Sequence, residues 1–206
     1  MPQALAPPAL CWLRHRHHNT QGDIMNILRR RLSQLFVLLL LALAGQRTAL
    51  AADIRIPLPG GGALVLPAPD GWSGTQQAGP VPTLTLGPGG GKAFQVLVSP
   101  LVRSNGATAP ADADSLRRLT ASALQRAQGQ AVEKRLQLQS LQSASVQGFF
   151  FDATDRAPEP DGYKNLTQGV AAVQGLPVSF TVLSNGQADT VRRPALAMLR
   201  GARREP

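Results

Sequence analysis

The chain has 206 residues, with 21 Lys and Arg against 12 Asp and Glu and a single cysteine. Six of those cations and one acid lie in residues 1–51, leaving 15 against 11, a formal +4, over the 155 residues that follow. Cys11, His15, His17 and His18 lie in that same front segment, so residues 52–206 have no disulfide, no zinc site built on Cys or His and no His-based triad open to them. A +4 balance with few, scattered aromatics also argues against nucleic-acid binding.

Residues 1–24 hold Pro7, Pro8 and the tract His15-Arg16-His17-His18. A metal-binding tract is one reading. The favoured one is an untranslated or disordered extension with the start at Met25, because a leader begins with its basic region. Residues 25–51 read as a signal peptide. Arg29, Arg30 and Arg31 precede an apolar run from Leu35 to Ala44, and Ala49-Leu50-Ala51 sets up cleavage between Ala51 and Ala52. The run is ten residues long, against about 20 for a spanning helix. Arg30-Arg31 leaves a twin-arginine route open, but the general secretory route is favoured. The expected product is a soluble periplasmic protein, a single domain over residues 52–206.

Ile54–Ile56 and Ala63–Leu66 form two short strands across Gly60-Gly61-Gly62, placed at edges or ends by Pro57, Pro59, Pro67 and Pro69. Asp70-Gly71-Trp72 reads as a turn. Strands are expected over Val81–Leu86 and Lys92–Leu101, the second alternating Phe94, Val96 and Val98 with Gln95, Leu97 and Ser99. Asp112 to Ala127 reads as a helix with an apolar stripe of Leu116, Leu119, Thr120, Ala123, Leu124 and Ala127, capped by Asp112 or Asp114 and ended by Gly129. Strand patterns resume at Glu133–Leu141 and Ala144–Thr154. A polar loop from Asp155 to Gly162 follows, then a hairpin of Tyr163–Gln174 and Pro177–Ser184 around Gly175-Leu176. A last helix is expected from Asp189 to Arg203, starting late or kinked at Pro194. The fold class is α+β: a twisted antiparallel sheet flanked by two main helices.

In this layout the chain resembles the PsbP-like superfamily, which includes photosystem II extrinsic subunits, Ran-binding Mog-type proteins and DcrB-like periplasmic proteins. The resemblance rests on Leu64-Val65-Leu66-Pro67-Ala68-Pro69-Asp70-Gly71-Trp72, on Gly148-Phe149-Phe150-Phe151-Asp152-Ala153-Thr154-Asp155, on Phe180-Thr181-Val182 and on the closing segment Ala195 to Arg204. It implies a twisted antiparallel sheet between helical layers. It implies no shared reaction, since members mostly bind or scaffold.

Candidate chemistry is sparse. Gly87-Pro88-Gly89-Gly90-Gly91-Lys92-Ala93 falls one residue short of a phosphate loop, lacks its Ser or Thr, and reads as a hairpin turn. Asp152, Asp155, Glu159 and Asp161 gather carboxylates, but Arg156 sits among them and the spacing fits no calcium loop. Phe149-Phe150-Phe151 reads as core if helices cover both sheet faces. Arg193, Arg200 and Arg204 align on the expected last helix, a face that allows weak peripheral contact with anionic membrane. No Gly-x-Ser-x-Gly elbow or Ser-x-x-Lys pair occurs. The reading is an exported, non-catalytic binding or scaffolding domain for a protein or envelope component, with no cofactor, metal or nucleic acid expected. The surface singled out is Trp72, Asp155, Arg156, Glu159, Asp161 and Tyr163. The alternative is a His-independent hydrolase or a small-ligand carrier.

Overall fold

The structure is a computed structural model that describes residues 53–77, 82–88, 93–103, 105–186 and 188–206. The extension, the leader and the Ala51–Ala52 cleavage site lie outside the described residues. The fold is α+β. Strands β1 (Asp53–Pro57), β2 (Ala63–Pro67) and β10 (Arg203–Glu205) form a small sheet in the order β1-β2-β10. Strands β3 (Trp72–Gln77), β4 (Thr83–Pro88), β5 (Phe94–Pro100), β6 (Gln139–Gln142), β7 (Val146–Thr154), β8 (Asn165–Val173) and β9 (Leu176–Ser184) form a seven-stranded sheet in the order β3-β4-β5-β9-β8-β7-β6. Every pairing is antiparallel. Helix α1 spans Ala113–Gln128 and helix α2 spans Ala188–Arg200.

Side-chain alternation divides the large sheet into two faces. Phe150, Phe180, Val98 and Leu84 lie in one paired row and point toward α2 and the small sheet, where they join Ile56, Leu64, Leu66, Ala195, Met198 and Leu199 in the main core. Phe149 and Phe151 point the other way, under α1. Phe149 packs with Leu116 and Val170, and Phe151 with Ala123, Leu124 and Ala127. All three phenylalanines are therefore core. The β7–β8 pairing is tight at Gly169: a Cβ there would meet the Phe149 carbonyl, Phe180 Cζ at 2.6 Å and Phe150 Cβ at 2.7 Å.

The β8–β9 hairpin turns on Gln174-Gly175, both at positive φ (48° and 81°), as a two-residue primed turn requires. Leu176 is thus the first residue of β9, paired with Val173, not part of the turn. Asp112 caps α1, its Oδ1 accepting from Ser115 N–H at 2.9 Å. The stripe of α1 differs from expectation at Leu119, which is 43% exposed. Arg117, itself exposed, instead lays its guanidinium 4.5 Å from the centre of the Phe149 ring.

Other expectations are corrected. The turn expected over Asp70-Gly71-Trp72 forms at Asp70-Gly71, closed by Trp72 N–H on Pro69 O at 3.2 Å, while Trp72 itself opens β3, a strand of polar residues with no apolar alternation. The strand expected over Glu133–Leu141 is irregular until Gln139. There the Gln128 side chain donates to Glu133 O at 3.0 Å and accepts from Leu136 N–H at 2.7 Å, which satisfies backbone groups a ladder would otherwise take. Helix α2 begins at Ala188, runs through Pro194 and ends at Arg200, not Arg203. Ser143 Oγ donates to Arg200 O at 2.9 Å and Ser145 Oγ to Ala202 O at 3.3 Å, closing that end. Arg203 and Arg204 then pair with β2, and Arg203 and Glu205 make ion pairs with Asp53 and Arg55 of β1. Arg204 is therefore off the helix face that was to align with Arg193 and Arg200. Among the described residues no helix is long and apolar enough to cross a membrane.

Candidate functional site

The residues singled out from sequence collect at one end of the large sheet, where β7 and β9 stop and β8 and α2 begin. Register places Thr154, Asn165, Ser184 and Phe94 in one row, and the β4 and β3 registers extend it through Pro88 to Trp72. Five strand spacings of about 4.8 Å put Trp72 roughly 24 Å from Thr154 along this row. Trp72 and the loop after Thr154 therefore share an end of the molecule without forming one contact patch. Trp72 is half-buried, with its ring 4.6 Å from that of Phe94.

The loop from Asp155 to Lys164 is held in shape by its own polar groups. Asp155 Oδ1 accepts from Ala157 N–H at 2.9 Å, and Asp155 N–H donates to Lys164 O at 2.8 Å. Arg156 is tied to the segment after α1, its backbone N–H on Gln130 O and its guanidinium on Ala131 O. Asn185 closes the far side: its Oδ1 accepts from Lys164 N–H at 2.9 Å and its Nδ2 donates to Gly162 O at 3.2 Å. Glu159 and Asp161 are exposed at the tip. Tyr163 is half-buried and lines a cavity of about 130 Å³ with Asp155, Lys164, Leu166 and Leu183.

A second cavity, of about 180 Å³, opens at the same end on the α2 face. Its polar centre is Asp152, two residues after Phe150 and so on the core-facing side of β7. Asp152 accepts from Thr167 Oγ1 at 2.5 Å, from Gln139 Nε2 at 2.8 Å and from Arg192 Nη1 at 2.6 Å. Arg192 also reaches Asp189 at 2.6 Å, while its buried Nε has no hydrogen-bond partner among the described residues. Burial works against the charge of Arg192, but Asp152 and Asp189 outweigh it and the guanidinium pKa is raised. The hydrogen bond from Arg192 holds Asp189 below the usual carboxylate range. Glu133 lines the same cavity; burial pushes its pKa up, and the Thr154 N–H bound to its carboxylate at 3.0 Å more than reverses this, leaving it lowered.

This cluster was missed in the sequence, although it left a signal. An acid on a strand position that shares a face with Phe150 must find a partner, and Arg192 lies next to the buried Val191 near the start of α2. A carboxylate gripped by a guanidinium, a hydroxyl and an amide is held in one orientation. The acids once grouped as a calcium candidate are not brought together: Asp152 faces α2, Asp155 closes its own turn, and Glu159 and Asp161 face solvent. Among the described residues no group of three His, Cys, Asp or Glu is placed to hold a metal ion.

Two further surfaces stand out. An open groove of about 660 Å³ runs along α1 between Leu124 and Gln128 on one side and Leu136 and Leu138 on the other. On the same side of the sheet α1 covers β7 and β8, whereas β9, β5, β4 and β3 present Thr181, Leu97, Thr85 and Thr75 in one row and Ser179, Ser99, Thr83 and Gln77 in the next. These residues are half-exposed or exposed and carry no charge. No family model matches the chain, and no curated protein or solved structure matches it significantly.

Proposed function

We propose that the protein is an exported, non-catalytic binding domain, cut from its leader between Ala51 and Ala52, and that it engages a protein or envelope component through the loop end of its large sheet. The observation that carries this reading is the pre-organised loop from Asp155 to Lys164. Its backbone is fixed by Asp155, Arg156 and Asn185 while Glu159 and Asp161 stay exposed. A loop already held in one shape loses little entropy on docking, and exposed loops on a rigid sheet are where binding residues concentrate. The two cavities beside it, about 180 and 130 Å³, are smaller than the roughly 300–1,000 Å³ of ordinary small-ligand sites. At the loop end this favours a surface partner over a carried ligand or a hydrolysed one, and the groove of about 660 Å³ along α1 is open and lined by no carboxylate, serine or lysine. The resemblance to the PsbP-like superfamily remains a proposal from sequence layout and adds no reaction.

The test is crosslinking in intact cells of the wild type against Glu159→Lys plus Asp161→Lys, with mass spectrometry of the products. The expected result is one recurrent adduct, mapped to residues 155–164, that the double variant loses while its thermal midpoint is unchanged. An adduct that survives the charge reversal, or maps elsewhere, would move the site. A purified protein whose N-terminus precedes Ala52 would remove the export step.

A further inference from the structure

Among the described residues, strand β3 is a sheet edge without the usual protection. Sheet edges in soluble proteins are guarded by lysines, prolines, bulges or short length, because their free N–H and C=O groups template pairing. β3 is six residues long, Trp72-Ser73-Gly74-Thr75-Gln76-Gln77, and has no charge, no proline and regular register with β4. Five of its six residues are exposed, so among the described residues it is held mainly by its ladder to β4. The absence of charge extends inward: β3, β4 and β5 together contain no Lys, Arg, Asp or Glu. On the nearby small sheet, the charges of Asp53 and Arg55 are engaged by Arg203 and Glu205. A domain of formal +4 thus has uncharged strands at both edges of its large sheet, but β6 is only four residues long and its Gln139 is bound to Asp152, which leaves β3 as the longer edge at which a second copy meets no like charge.

We infer that β3 pairs with β3 of a second copy, antiparallel about a two-fold axis, with Thr75 opposite Thr75. Residues directly opposite in an antiparallel pair share a face. A two-fold through Thr75 sets Ser73 against Gln77 and Gly74 against Gln76, so each face of one sheet continues into the same face of the other. A register shifted by one residue would set the Thr75 face of one copy against the Gly74 face of the other. All pairs in the chosen register are neutral, and the Thr75–Thr75 and Ser73–Gln77 side chains can hydrogen-bond across it. The two-fold is isologous and closed, which limits assembly to a dimer rather than a fibre. The uncharged Ser, Thr and Gln surface of β9, β5, β4 and β3 would then double in extent across the axis. This goes beyond the loop-end reading and does not rest on it.

The test uses the full chain, expressed with its leader and purified, in three forms: wild type, Thr75→Lys, and Thr75→Cys in a Cys11→Ser background. At concentrations on the order of 50 µM the wild type is expected to scatter light as a dimer. Thr75→Lys sets two ammonium groups face to face and is expected to be monomeric with unchanged circular dichroism. Thr75→Cys is expected to link two chains efficiently through a disulfide or a short bis-maleimide, whereas Thr181→Cys, three strands inward on the same row, is not. A monomeric wild type, a dimer untouched by Thr75→Lys, or linkage no better at position 75 than at 181 would each overturn the inference. A dimer that persists in Glu159→Lys plus Asp161→Lys separates it from the loop-end reading.

Discussion

Phe150 enters the main core while Phe149 and Phe151 enter the clusters under α1, because successive residues of β7 face opposite sides and each side is covered. That much was legible from three apolar letters in a strand. The identity of the cover was not: Leu119 fits the stripe of α1 but is exposed, while Arg117 lays its guanidinium on Phe149. A long cationic side chain can cover an aromatic face while its charge stays wet, and periodicity scores it as polar. Gly169 gives a sharp test of the β7–β8 packing. A methyl there meets the backbone of Phe149 and the ring of Phe180, and neither can swing away. Gly169→Ala should therefore cost about 3 kcal/mol or prevent folding. Gly175→Ala, which meets nothing but sits at φ +81°, should cost about 1 kcal/mol. Urea midpoints of the two variants decide it, and equal losses would contradict the packing described. The Asp152–Arg192 pair is about three-tenths exposed, so its worth lies below that of a fully buried pair. Arg192→Met should destabilise by about 1–2 kcal/mol, and adding Asp152→Asn should recover part of that loss. If the double variant is the less stable by the sum of both singles, the two residues do not act as a pair.

At the level of elements, strands with alternating or continuous apolar residues announced themselves: β5, β7 and β9 lie within two or three residues of where their patterns place them. β3 and β10 did not, because Trp-Ser-Gly-Thr-Gln-Gln and Arg-Arg-Glu carry no apolar period. β3 is held by its ladder to β4, and β10 by its ladder to β2 and ion pairs to β1. The segment from Glu133 to Leu138 had the alternation of a strand, yet the Gln128 side chain occupies two of its backbone groups. The candidate loop was legible as a loop from its prolines and acids, but its rigidity was not. Part of that rigidity comes from Asn185, twenty or more residues away. Asn185→Ala removes both ties, so cleavage between Arg156 and Tyr163 by added protease should accelerate several-fold while the thermal midpoint of the domain moves little. Unchanged cleavage would mean that Asp155 and Arg156 suffice to hold the loop.

For the whole molecule, the fold class followed from strands linked by hairpins and two separate helical stripes. The strand order did not, since the β5–β9 pairing joins segments about eighty residues apart and periodicity does not name a partner. The small sheet was likewise invisible as a separate layer, because its third strand is the polar C-terminal segment. Charge distribution supplies the last expectation. Residues 52–206 contain no histidine and no cysteine, so apart from a free α-amino group nothing in the domain ordinarily titrates between pH 5 and 8. The acids whose ionisation the fold favours are Asp189 through Arg192, Asp53 through Arg203, Asp112 through the Ser115 N–H, and Glu133, where hydrogen bonds from Thr154 overcome burial. Each has its folded pKa lowered, so its contribution is fully present above the ordinary carboxylate value and is lost as pH falls through the lower folded one. The urea midpoint of the processed protein should accordingly be flat from pH 8 to 5 and fall below about 4. Glu133→Gln should blunt part of that acid slope while lowering the midpoint at neutral pH. A midpoint that changes steeply near pH 6.5 would mean that a histidine is present, and with it His15, His17 or His18 and an uncleaved leader.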